Sequence, residues 1–79
     1  KVQPNPFTDY TTIYSVFKLN KNHSLLIYDV NGKLVYEKSH LFGQEIIVKK
    51  SELGKGVFLP IILNHKDGSK YYIEKIIAE

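Results

Sequence analysis

Ile27-Tyr28-Asp29-Val30-Asn31-Gly32-Lys33-Leu34-Val35 sets a tight-turn dipeptide between two runs that alternate apolar and polar residues. Asn-Gly tolerates positive φ at both central turn positions, so it predicts a type I′ hairpin whose twist suits the flanking strands. Asp29 stands two residues before the turn dipeptide, where a carboxylate accepts backbone N–H bonds and pins the reversal. No Asp-x-Asp spacing surrounds it, so calcium ligation has no support. The stretch is a hairpin, and its chemistry has to be sought in its neighbours.

Moving outward, Thr11 to Leu19 alternates, with Ile13, Phe17 and Leu19 on one face and Thr12, Tyr14 and Lys18 on the other. Asn20-Lys21-Asn22 is turn chemistry, and Ser24 to Asp29 follows as a strand with Leu25 and Ile27 inward. Leu34 to Ser39 completes the hairpin. Gly43 opens the next connection, and Glu45 to Lys49 reads as a strand with Ile46 and Val48 inward. Ser51 to Gly56 is too short and glycine-rich for a stable helix, so it is a loop or one helical turn tucked under the sheets by Leu53. Asp67-Gly68 marks a second hairpin, after which Lys70 to Ile77 returns as the last strand.

Composition agrees. Valine and isoleucine supply fifteen residues and tyrosine and phenylalanine ten, against one alanine and no methionine, which suits pleated sheet. The expected fold is all-β: a small immunoglobulin-like antiparallel β-sandwich of about six to seven strands, residues 1–79 forming a single domain. A chain this size buries only about 60% of the surface its unfolded form exposes. With no cysteine and three scattered histidines, it is stabilised by apolar packing or by a neighbour. Its abrupt beginning at Lys1-Val2-Gln3 reads as a piece cut from something longer, whose targeting signals, if any, lie elsewhere.

Several functions are excluded or left without support. All eleven basic residues are lysine, and they alternate with acids, whereas recognition of nucleic acid favours clustered arginine. No stretch approaches the roughly 18 apolar residues of a membrane span, so no membrane insertion is expected. His23, His40 and His65 are 17 and 25 residues apart and lack the close spacing of a metal site on one element. The serines sit in no nucleophile elbow and no phosphate-cradling loop is present. Neither a catalytic residue nor a cofactor is expected.

Two segments depart from a plain sandwich pattern. Val57 to Leu63 puts Val57, Leu59, Ile61 and Leu63 on one face and Phe58 and Ile62 on the other, with Pro60 removing a ladder donor. Proline suits an edge strand or a bulge. An apolar edge strand needs a cover, such as a partner, the parent protein or a second copy pairing through Val57–Leu63, unless both faces are buried internally. Lys75 falls in register with Tyr71, Ile73 and Ile77, a charge on an apolar stripe. Either its stem covers apolar surface while the ammonium reaches water, or it is a recognition determinant near the C-terminus.

In this order the elements resemble the type A C-terminal sorting domains of the bacterial type IX secretion system (Por secretion system C-terminal domain), nearly end to end. The resemblance is carried by Pro4-Asn5-Pro6 with Phe7-Thr8, by the hairpin with Tyr28, Asp29 and Gly32, and by Gly43 with Ile46 and Val48. Leu53-x-x-Gly56-Val57-Phe58 continues it, and Asp67-Gly68 through Lys75-Ile76-Ile77 closes it. Phe58 stands where tyrosine is usual in the family, and Pro60-Ile61 replaces a more regular, more polar alternation.

The resemblance implies a non-catalytic secretion signal, residues 1–79 being the C-terminal sorting domain of a larger exported precursor and fused there to a cargo protein. Such cargo enters the periplasm by an ordinary N-terminal signal, and an outer-membrane translocon then recognises the folded label. A surface sortase typically removes it, leaving the cargo at the cell surface or outside the cell. Lys75, Ile76, Ile77, Leu59 and Ile61 are the candidate recognition residues; Asp29 and Gly32 shape the scaffold. Two rivals are a carbohydrate-binding or adhesion sandwich, which needs Tyr14, Tyr36 and Tyr72 on one exposed face, and a structural spacer in a secreted enzyme.

Overall fold

The computed structural model describes residues 1–79. In chain order the elements are β1 (Val2–Gln3), β2 (Tyr10–Leu19), β3 (His23–Asp29), β4 (Leu34–Lys38), β5 (Gly43–Lys49), α1 (Lys50–Leu53), β6 (Gly56–Asn64), β7 (Lys70–Tyr72) and β8 (Ile76–Ala78). They form two antiparallel sheets, β1-β2-β5 and β4-β3-β6-β7, with β8 also paired to β6. The sheets stack as a sandwich. Alternation explains which side chains line its core: Ile13, Leu25, Ile27, Ile46, Val48, Phe58, Ile62 and Ile76 are all buried there.

The opening hairpin forms, with a different turn from the one Asn-Gly predicts. Gly32 donates its N–H to the Asp29 carbonyl and Asp29 donates to the Lys33 carbonyl, which closes a three-residue loop, Val30–Gly32. Gly32 alone has positive φ, at 83°, whereas a type I′ turn needs it at Asn31 too. The register shifts between Ile27 and Tyr28 to absorb the extra residue. Asp29 explains the preference: its Oδ1 accepts the amides of both Asn31 and Lys33 at 2.9 Å, holding the longer loop. Replacing Asp29 with alanine is expected to lower stability by about 1–2 kcal/mol, the cost of losing two such bonds. Urea unfolding checks this, and an unchanged midpoint would deny the carboxylate that role.

Strand β6 is central, which corrects the expectation of an edge. Its Leu25–Ile62 and Ile27–Pro60 pairings bind it to β3, while Ile61–Tyr72 and Val57–Ile77 bind the other side to β7 and β8. Both edges are occupied, so a second copy cannot extend the sheet along Val57–Leu63. Proline is tolerated because the last strand is interrupted: Lys70 to Ile77 is not continuous but breaks at Ile73–Lys75 into β7 and β8. In an antiparallel ladder one residue's N and C=O face the same neighbour. The Pro60 carbonyl accepts the Ile73 amide at 3.2 Å, so the missing donor faces that interruption and costs the β3 ladder nothing.

The Pro4-Asn5-Pro6 bend earns its place through contacts about seventy residues away. Asn5 Nδ2 donates to the Lys75 carbonyl at 2.8 Å, and its Oδ1 accepts the Ile77 amide at 2.9 Å. One side chain thus bridges the residues that flank Ile76. Beyond the bend Phe7 donates to Ile77 and accepts from Glu79, both at 2.9 Å, lying parallel to β8. At the opposite margin, α1 closes the gap between β4 and β5 with Leu53 packed on the core. This is one helical turn, within the range the sequence allows.

Candidate recognition surface

Because β6 is apolar on both faces, the five-stranded sheet presents an apolar outer face as well as its core face. The register groups its outward residues: Leu26 with Ile61, Tyr28 with Leu59 and Leu34, Ile61 with Tyr72, and Val57 with Ile77. Ile61 and Leu26 are almost covered, whereas Leu34, Val57 and Leu59 are 42%, 38% and 45% exposed and Tyr72 is 74% exposed. A contiguous apolar patch of this kind marks a contact surface more than a solvated face does. Near the β7–β8 interruption it dips into a shallow groove of about 380 Å³, with Tyr28, Leu59, Ile61 and Tyr72 along it and Lys70 on its wall.

The candidate recognition residues divide. Leu59, Ile61 and Ile77 come together on this outer face. Ile76 does not: it is wholly buried opposite Phe58 and belongs to the core. Lys75 is exposed in the interruption between β7 and β8, off the strand stripe on which simple alternation places it. Only its backbone is engaged, through Asn5. Glu74 beside it accepts the Val2 amide at 2.7 Å, so the segment carrying Lys75 is tied at successive residues.

The remaining motif residues lie in the bend, the hairpin and the strand starts. Asn5 holds β8, and the Pro4 carbonyl before it accepts the Thr11 hydroxyl of β2 at 2.6 Å; Asp29 and Gly32 make the hairpin loop, with Tyr28 half-buried on the outer face. Gly43 opens β5, Leu53 seals α1, and Gly56 begins β6 with the Phe58 ring 3.7 Å from where its Cβ would stand. Phe58 itself is buried, pointing inward.

Two groups titrate away from their ordinary values, neither in a reactive setting. Burial, and secondarily the Glu52 carboxylate, raises the Tyr36 phenol. The Ser69 hydroxyl and then its amide hold Asp67 below its usual value by hydrogen bonding in the β6–β7 turn. Ser24 Oγ lies 2.7 Å from His65 Nε2, a contact their distance in sequence does not announce. Ser24 is fully buried and no carboxylate orients the exposed His65, so the pair lacks the make-up of an activated nucleophile and ties the turn after β6 to β3. Tyr14 and Tyr72 lie on the outer faces of different sheets and Tyr36 packs on the core, so they do not form one sugar-stacking platform.

Sequence reasoning missed Tyr72 and Leu34 as members of the face. Their partners were the signal: each is cross-strand from an apolar residue of β6 or β3, which only the register discloses.

No curated protein and no solved structure matches this chain. A family model does match, and it runs the full 79 residues, through the Pro-Asn-Pro bend, the hairpin and the closing strand alike. The chain belongs to the secretion system C-terminal sorting domains.

Proposed function

We propose that the domain is an address label read in its folded state, its reader docking on the outer face of the five-stranded sheet around Leu59, Ile61, Tyr72 and Ile77, with Lys75 at the margin. Membership makes it a C-terminal sorting signal of type IX secretion, a family that is not catalytic and whose members serve the export of a joined cargo. The finer steps are part of the proposal: transit through the periplasm, recognition by an outer-membrane translocon, and removal by a surface sortase. The observation that carries the choice of surface is the exposed apolar face of β6. A label shared by many cargos needs a rigid surface of its own, and a sandwich with an independent core supplies one.

The test is a fusion of these 79 residues to a periplasmic reporter in a host with the secretion system. Surface delivery of the reporter is expected. Retention in the periplasm would overturn the reading.

A further inference from the structure

Phe42 is the most exposed large apolar side chain of the molecule, at 82%. Single exposed apolar residues are ordinary, but the backbone around this one is not. His40 takes a left-handed conformation at φ 56° and Gly43 another at φ 69°. A non-glycine residue there is uncommon and costs energy, so the conformation is held by its surroundings. Between these two points Leu41 turns into the core at 4% exposure and its neighbour Phe42 turns out. The loop is anchored by one residue and presents the next.

Phe42 shares a shallow recess with Lys38, His40 and Glu45, at an end of the sandwich where lysines outnumber acids. Gly43 pairs with Leu19, which places Phe42 level with the Asn20–Asn22 turn and its Lys21. His65 donates to the Asn22 carbonyl at 2.8 Å, and Ser24 reaches both His65 and Ser39. Three loops are therefore stitched into one end of the sandwich. Lys21, Lys38, Lys66 and Lys70 stand at that end, all exposed, with Asp67 the acid among them and Glu45 two residues beyond Gly43. The far end, by contrast, mixes Lys33, Lys49, Lys50 and Lys55 with Asp9, Asp29, Glu52 and Glu79.

We infer that this loop end is a peripheral contact site for an anionic lipid surface, with the Phe42 ring entering the interface and the lysines meeting the phosphate headgroups. A convex tip with one projecting ring and flanking ammonium groups fits a plane whose outer layer is anionic and whose next layer is apolar. Lysine stems bury against the acyl boundary while their heads stay in water. One ring and a few lysines give weak, reversible adhesion; no segment crosses the bilayer. The inference does not depend on the secretion reading.

Sedimentation of the chain with phosphatidylglycerol vesicles and with phosphatidylcholine vesicles tests it. Binding to the anionic vesicles alone is expected, lost at about 0.5 M salt, where screening shortens to a few ångströms. Phe42→Ser should weaken that binding about tenfold with an unchanged thermal midpoint. The chain has no tryptophan, so Phe42→Trp provides a single fluorophore that should shift to the blue on anionic vesicles. Absence of binding, equal binding to neutral vesicles, equal binding by Phe42→Ser, or no shift from Phe42→Trp would each overturn the proposal. A protein socket for Phe42 would show itself as loss of export by Phe42→Ser without any vesicle binding.

Discussion

Ile76→Ala is expected to lower the folding stability by about 2–5 kcal/mol, the range for removing a buried isoleucine side chain down to its Cβ. A domain of this size has about 4–12 kcal/mol in total, so a loss in the upper part of that range removes a large fraction of its stability. The reason for expecting the upper part of that range is local. Ile76 is wholly buried, in a strand of three residues that holds Phe7 and the Pro-Asn-Pro bend in place. A cavity at Ile76 leaves Phe58 without its cross-strand partner and loosens both Asn5 contacts, which flank the same residue. Ile77→Ser, one residue on and half-buried on the other face, is expected to cost about 1 kcal/mol or less. Thermal and urea unfolding of the two variants separate them, and a wild-type midpoint for Ile76→Ala would remove Ile76 from the core. By the same logic, deleting Lys70–Glu79 abolishes export by unfolding the label, whatever the lysine does.

Faces were legible in the sequence and neighbours were not. Alternation placed Ile13, Leu25, Ile27, Ile46 and Val48 in the core because side-chain direction in a strand depends only on position along that strand. It failed at Pro60 because the tolerance of a missing donor depends on the strand opposite, and that strand breaks at Ile73–Lys75. The hairpin loop was misjudged for a related reason. Asn-Gly satisfies a type I′ turn locally, but the Asp29 carboxylate adds two bonds to the longer loop and tips the balance. Asn5 is the clearest limit: its amide serves Lys75 and Ile77 across the whole chain, and nothing in Pro-Asn-Pro by itself says so. As for the candidate site, Leu59 and Ile61 stand out in the sequence because Val57–Leu63 is apolar at every position, while Ile77 enters only through its place in the closing motif, as does Ile76. Burial corrects that, since a residue with no exposed surface cannot be touched by a partner.

Leu59→Asp is expected to reduce surface delivery of a fused reporter at least about tenfold while shifting the unfolding midpoint little. Leu59 is 45% exposed and central on the outer face, beside Tyr28 across the β3–β6 pairing. A carboxylate there stays hydrated in the free domain, so the fold loses only the partial burial of one leucine. A docked partner, however, would have to strip water from that charge without offering it a planned counterion, a penalty of several kcal/mol by analogy with other uncompensated charges at interfaces. Ile61→Asp is not an equivalent test, because Ile61 is 7% exposed and its loss would unfold the sheet. Lys75→Ala supplies the complementary comparison. Its side chain is exposed and forms no ion pair in the folded chain, so stability is expected to hold. If both variants fold and Leu59→Asp alone is retained, recognition is apolar and centred on β6. If Lys75→Ala alone is retained, the reader grips the interrupted last strand instead of the face. Full delivery of both would show that neither Leu59 nor Lys75 is part of what the export machinery reads.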